Sequence, residues 1–322
     1  MLSLLLAVSC GPANVTSDDV VVRLGFSAWP GWFPWQVAQE KGIFQKHNVR
    51  VELQWFDSYT DSMNALKAEQ LDANSQTLND TISAVAGGAD QVIVLVNDNS
   101  TGNDQIIVRE GINTLADLKG KKLAAEEGSV SHFFLSLVLE RAGLTLQDIT
   151  FVPLETGKAA AAFAAGQVDG VAVFAPFTTQ ALKRPASKVL TSSKDFPGAV
   201  SDHLVFTRRF VEQHPQQVQK VVDAWFDTLK YIQEHPDESV AIMAKQANVT
   251  VAEYKQYATG TRIFNAQENV AAFQPGKDMT SLPFAAQKVS AFLVQTGLAK
   301  NQPDVSRLFD DQFVKTYVAQ AQ

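Results

Sequence analysis

Between Phe26 and Trp35 the chain reads FSAWPGWFPW, which sets Trp29, Trp32 and Trp35 three residues apart among two prolines. The whole sequence has only five Trp, so most of its indole is committed to this stretch. An indole face attracts a cation through its quadrupole, worth roughly 0.5–2 kcal/mol per ring depending on desolvation. Pro30 and Pro34 remove N–H donors and fix φ, which stiffens a segment holding flat rings. The other residues able to do chemistry are acidic. Asp57, Asp80, Asp104, Glu127 and Asp202 all fall at the ends of predicted strands. A carboxylate brings the opposite charge and offers a planar, forked donor two parallel hydrogen bonds at once. Indoles and carboxylates together describe a site for a small cation, with two or three of the carboxylates in direct contact.

The elements that must position these residues follow a strand–loop–helix rhythm from Val20 to about Phe206. VVVRLGF, VRVELQWF, LDANSQ and QVIVLV read as strands, separated by amphipathic stretches such as WQVAQEKGIFQKHN and SYTDSMNALKAEQ. The pattern restarts at DQIIVRE and continues through KKLAAE, ITFVPL and VDGVAVF. Strands alternating with helices predict an α/β fold with parallel-rich sheets. Beyond about Pro215 every periodic segment reads as helix, and no further strand is expected. An internal echo divides the chain in two. ALKAEQLDA and AFAAGQVDG share one frame of residues ~97 positions apart, too long a period for a solenoid, so two lobes of related βαβ construction are expected. In each copy Asp72 or Asp169 reads as a helix–strand junction cap, and each following strand should open onto a ligand-facing loop.

Composition narrows the function. With 34 acidic against 27 basic side chains the net charge is −7, and no basic run exceeds two residues, which argues against nucleic acid or anionic lipid as main partner. The single cysteine, Cys10, excludes an internal disulfide. It follows MLSLLLAVS, which resembles the end of a bacterial lipoprotein signal peptide with Cys10 as the lipid attachment point. Residues 1–19 then read as leader and tether of an extracytoplasmic, membrane-anchored protein. Five histidines show no metal-binding spacing, and no nucleophile elbow or phosphate loop occurs, so neither an enzyme nor a cofactor is expected.

LGFSAW, WQVAQEKGIFQKHNVRVEL, ALKAEQLDA, LADLKGKKLAAEEGSVSHFFLSLVLERAGL and FVPLETGKAAAAFAAGQVDGVAVFAPF together resemble the substrate-binding proteins of ABC importers for nitrate, sulfonates, taurine and thiamine-pyrimidine precursors. The resemblance implies a two-lobed type II periplasmic binding protein fold, monomeric, closing on its ligand by hinge motion and delivering it to a membrane permease. The first lobe would be residues 20–102 plus 206–322 and the second 103–205. The loops that would line the cleft carry Asp57, Asp80, Asp98, Asp104, Glu126, Glu127, Glu155 and Asp202 against no Lys or Arg and two histidines, His132 and His203. An anion would want an Arg fork or free helix N-termini instead. FSAWPGWFPW, LDANSQTLNDT and LVNDNSTGND look like a branch linked to guanidinium-like compounds, and guanidinium is planar, permanently charged and stacks on indole. Nitrate, sulfonate or taurine, or a pyrimidine precursor on the same scaffold stays the alternative. An enzyme like the thiamine-pyrimidine synthases, which rely on a cysteine-rich motif, is more remote, as is a sensor binding a partner protein.

Overall fold

The computed structural model describes residues 20–320. The leader, the tether and Cys10 lie outside them. Eleven strands are present among these residues: β1 (Val21–Phe26), β2 (Arg50–Trp55), β3 (Ala73–Thr77), β4 (Gln91–Ser100), β5 (Asp104–Val108), β6 (Lys122–Ala125), β7 (Thr150–Pro153), β8 (Gly170–Phe174), β9 (Lys188–Ser192), β10 (Ser201–Thr207) and β11 (Thr261–Ile263). They form a six-stranded sheet ordered β11-β4-β10-β3-β1-β2 and a five-stranded sheet ordered β7-β6-β8-β5-β9. Each sheet, with its helices, is a lobe.

The alternating pattern gives the parallel part of each sheet: β1 pairs in parallel with β2 and β3, and β6 with β7 and β8. Both sheets are nevertheless mixed. β10 runs antiparallel between β3 and β4, and β5 antiparallel between β8 and β9. The cause is chain routing, because a strand entering a lobe from the other one arrives in the opposite sense. The routing also corrects the second boundary. β10 belongs to the first sheet from Ser201 onward, so the chain leaves the second lobe before that residue rather than at 205. The C-terminal third is helical as expected, with one exception, since β11 pairs with the last residues of β4. A three-residue strand carries no readable period.

The internal echo has a structural counterpart. Asp72 Oδ2 accepts the Arg23 backbone N–H at 2.9 Å, Asp72 N–H returns a bond to Arg23 O, and the Arg23 guanidinium clasps the carboxylate. In the second lobe Asp169 Oδ2 accepts the Lys122 backbone N–H at 2.9 Å, Asp169 N–H bonds Lys122 O, and Arg109 Nε holds Oδ1 at 2.6 Å. Both aspartates tie the start of a third strand (β3, β8) to a parallel neighbour (β1, β6). Both are therefore junction caps, as their sequence frame suggests.

One large core fills the first lobe, around Phe26, Trp35, Phe206 and Trp225. The second sheet has a core on each face, one around Ile106, Phe134 and Leu139, the other around Ile107, Phe163 and Val171.

Candidate functional site

The ends of the two sheets meet in one gap. On the first lobe, Asp202 at the start of β10 stands between Thr77, the last residue of β3, and Asp98 near the end of β4. On the second, Asp104 opens β5 opposite Phe174, the last residue of β8. Trp29, Trp32 and Tyr59 from the first lobe and Val130 and Val200 from segments facing it complete a lining around about 20 Å³ of free space. Pockets for drug-sized ligands hold roughly 300–1,000 Å³, so the rings leave little more than a water-sized volume between them. The rings are set at angles to one another. Trp29 and Trp32 lie 6.4 Å apart at 57°, Phe174 meets Trp29 edge-on at 6.1 Å, and Tyr59 lies 5.4 Å from Trp32. Trp29 and Trp32 are 4% and 3% exposed.

Two buried carboxylates, Asp104 and Asp202, line this space, and two more, Asp80 and Asp98, are buried behind the lining. Trp29 Nε1 donates to Asp98 Oδ1 at 2.9 Å. Asp80 accepts from Tyr59 Oη at 2.8 Å, Thr77 Oγ1 at 2.7 Å and Asn79 Nδ2 at 3.2 Å. It thus stands behind Tyr59 and Thr77 rather than on the lining. Oδ2 of Asp98, of Asp104 and of Asp202 each has no partner. No lysine or arginine lines the gap. Burial raises all four pKa values. That of Asp80 reaches about 6, although its three donors pull it down. That of Asp104 reaches about 7, with Asp80 adding repulsion. Asp98 and Asp202 are close enough to share a proton. Both are pushed up by burial first, and Asp202 further by the negative charges of Asp98, Asp104 and Asp80. Uncompensated buried charge is among the costliest features a fold can carry.

Trp29, Trp32, Asp104 and Asp202 are thus brought together, with Asp80 directly behind. The remaining expected residues are not. Trp35 is fully buried in the lobe core, 4.5 Å from Trp225 and stacked on Phe44, with Nε1 bonded to Ser75 Oγ at 2.9 Å. The reason is local. Pro34 takes the first position of a helix, Pro34–Glu40, so Trp35 follows helical geometry and turns to the helix Pro215–Glu234. Glu127 is exposed and lines no pocket. Asp57 is exposed too, accepts from Trp55 Nε1 at 2.8 Å, and lines a separate, outer pocket. Asp98, which the sequence places on a loop, is a fully buried strand residue paired with Asp202, behind the lining.

Trp32 Nε1 has no partner, but the donors at the start of the helix Thr156–Ala164 are taken. Glu126 Oε2 accepts both N–H and Oγ1 of Thr156, which opens the helix Thr156–Ala164, at 3.1 and 2.7 Å. Glu155 Oε1 accepts the next N–H, of Gly157, at 3.1 Å. The helix Leu78–Ala86 is capped by Thr77 and holds Asp80 in its first turn. The two cleft histidines line neither pocket. His132 stacks on Phe151 at 4.6 Å, and burial drives the pKa of His132 to about 4 and of His203 to about 3, so both are neutral.

Gly31 shows how tightly the tryptophan segment is laid on the carboxylates. A methyl group there would sit 1.8 Å from Asp98 Oδ2. Gly31→Ala is therefore expected to cost ~1–3 kcal/mol by overpacking, read as a lowered midpoint in a urea titration followed by Trp fluorescence. An unchanged midpoint would mean the segment yields freely.

Two sheets whose strand ends face each other across a narrow gap define a two-lobed solute-binding fold. The chain belongs to the NMT1-like family, which residues 16–248 match. It is 27% identical to a putative binding protein of Brucella abortus over 281 residues, 85% of this chain and 86% of that one. It is 29% identical to a putative aliphatic sulfonates-binding protein of Escherichia coli over 277 residues, 84% of this chain and 86% of that one. The crystal structure of the periplasmic aliphatic sulphonate binding protein SsuA from Escherichia coli superposes with a TM-score of 0.75 at 24% identity, over 91% of this chain and 92% of that one.

Proposed function

We propose that this protein is the solute-binding component of an ABC importer and that its ligand is a small planar cation, guanidinium. One observation carries the choice of ligand: Asp104 and Asp202 line the gap, buried, each with an oxygen lacking a partner, with Asp98 behind Asp202 and no basic side chain in the lining. A guanidinium satisfies those oxygens with N–H bonds in its plane and presents its faces to Trp29 and Trp32. A metal ion suits the site less well, because among the described residues no group of three or more His, Cys, Asp or Glu is arranged to hold one. A sulfonate or taurine, as the names of several relatives suggest, is the second reading. It would need donors: the helix at Thr156 gives its first N–H groups to Glu126 and Glu155, and the helix at Leu78 is capped by the Thr77 hydroxyl, which leaves Trp32 Nε1 as the free donor in the lining.

The closed form would be the one presented to the permease. No helix among the described residues is long and apolar enough to cross a membrane, and a lipid on Cys10 would supply the anchor. Isothermal titration with guanidinium, nitrate and taurine tests the ligand. Saturable heat from guanidinium alone is the expected outcome. Binding of either anion with none from guanidinium overturns it.

A further inference from the structure

The cleft holds a second pocket outside the first. It is a shallow pocket with about 10 Å³ of free space, lined by Asp57, Glu126 and Glu155 together with Ser27, Thr156 and Phe177. Tyr59 and Phe174 line both pockets and so form the partition between them. It has three carboxylates where the inner pocket has two, and like the inner pocket it has no lysine or arginine. It differs in exposure: Asp57 is open to solvent, Glu126 and Glu155 are half-buried. Ser27 gives an independent sign of a missing occupant. Its side chain is 2% exposed, and its Oγ has no hydrogen-bond partner. Glu126 also joins the lobes, since its Oε1 accepts from Thr60 Oγ1 on the first lobe while Oε2 holds Thr156 on the second.

We infer that this outer pocket is a transit subsite for small hydrogen-bond-donating cations, occupied before the ligand passes Tyr59 and Phe174 into the inner pocket. This rests on the cation reading of the inner site. Solvent-facing carboxylates at the mouth of a low-dielectric cleft raise the local concentration of a cation and its rate of entry. They contribute little to holding a ligand that has moved on. The outer pocket therefore acts on association, whereas Asp98, Asp104 and Asp202 act on retention.

The test is stopped-flow Trp fluorescence with guanidinium on the full chain. Replacing the outer carboxylates by their amides, D57N/E126Q/E155Q, keeps an acceptor oxygen at each position. The triple variant is expected to associate about tenfold more slowly, to lose most of its dependence on ionic strength, and to dissociate within about twofold of the original rate. E110Q/E140Q/D237N makes the same change in net charge at exposed positions away from the cleft, and its association rate should stay within about twofold. Equal slowing in the two triple variants, or a loss of affinity lying wholly in dissociation, overturns the subsite. If the cleft triple variant does not fold, D57N/E155Q leaves Glu126 in place and is expected to slow association about threefold, and no slowing overturns the proposal. Absence of any guanidinium response in the unsubstituted protein overturns the inner-site ligand as well, and shows itself before any variant is made.

Discussion

Asp202→Asn is expected to weaken guanidinium binding at least about 100-fold while making the empty protein more stable at pH 8. The two effects have one cause. Asp202 is buried between Asp98 and Thr77, with Asp104 and Asp80 adding repulsion. An amide of the same shape removes a carboxyl that the empty fold must either keep protonated or hold charged at pH 8, at a cost in both cases. With a cation in place the same charge is the partner, and truncating one member of a buried ion pair costs about 3–5 kcal/mol. The gain in the empty protein, on the order of 1 kcal/mol, should raise Tm by about 2–4 °C. Titration calorimetry and thermal melts with and without guanidinium measure both quantities. A purely structural Asp202 would give a less stable variant, and affinity retained within about threefold would remove it from the site.

Affinity for guanidinium should rise with pH by about 10–100-fold between pH 6 and pH 8. The sign follows from the raised values: about 6 for Asp80, about 7 for Asp104 and about 8 for Asp98. In an unfolded chain these groups titrate near 3.9, so the empty fold binds protons more tightly than the unfolded chain does. The resulting stability is complete below about pH 4 and is lost as pH climbs through 6 to 8. A cation needs the ionised forms, so binding must expel protons across that same window, one pH unit contributing about tenfold per proton released. Calorimetry in buffers of differing ionisation enthalpy should detect between one and two protons released near pH 6.5. A Kd independent of pH from 6 to 8 would mean that the carboxylates are already ionised or do not meet the ligand.

Much of this site could be read from residue types, and what escaped did so for local reasons. The acidity of the lining was legible because the segments read as cleft loops hold no Lys or Arg, and the inner pocket holds none. Trp29 and Trp32 were legible as a pair set among Pro and Gly. Trp35 was not, because the same proline that ends the loop begins a helix. Asp98 reads as a cleft residue but on a loop, because the apolar strand appears to end at Val96. β4 continues through the polar residues Asn97–Ser100, since β10 and β11 supply partners that only tertiary routing brings. Glu126 and Glu127 differ by one position after β6. A sequence cannot tell which points inward, because the answer depends on the turn at Gly128, where φ is +76°. The parallel strands were marked by their alternation with helices. β9 and β11, short edge strands without a strong apolar period, were not.

The paired Arg–Asp clasps sit at the far margin of each sheet from the ligand. Asp72 ties the near end of β3, whose last residue, Thr77, reaches the gap, and Asp169 does the same for the strand ending at Phe174. Cohesion and recognition are thus separated by the length of a single strand. Chemistry at the rim can be rewritten, even reversed in polarity, without loosening the foundation beneath it, which gives such a scaffold its freedom to change cargo.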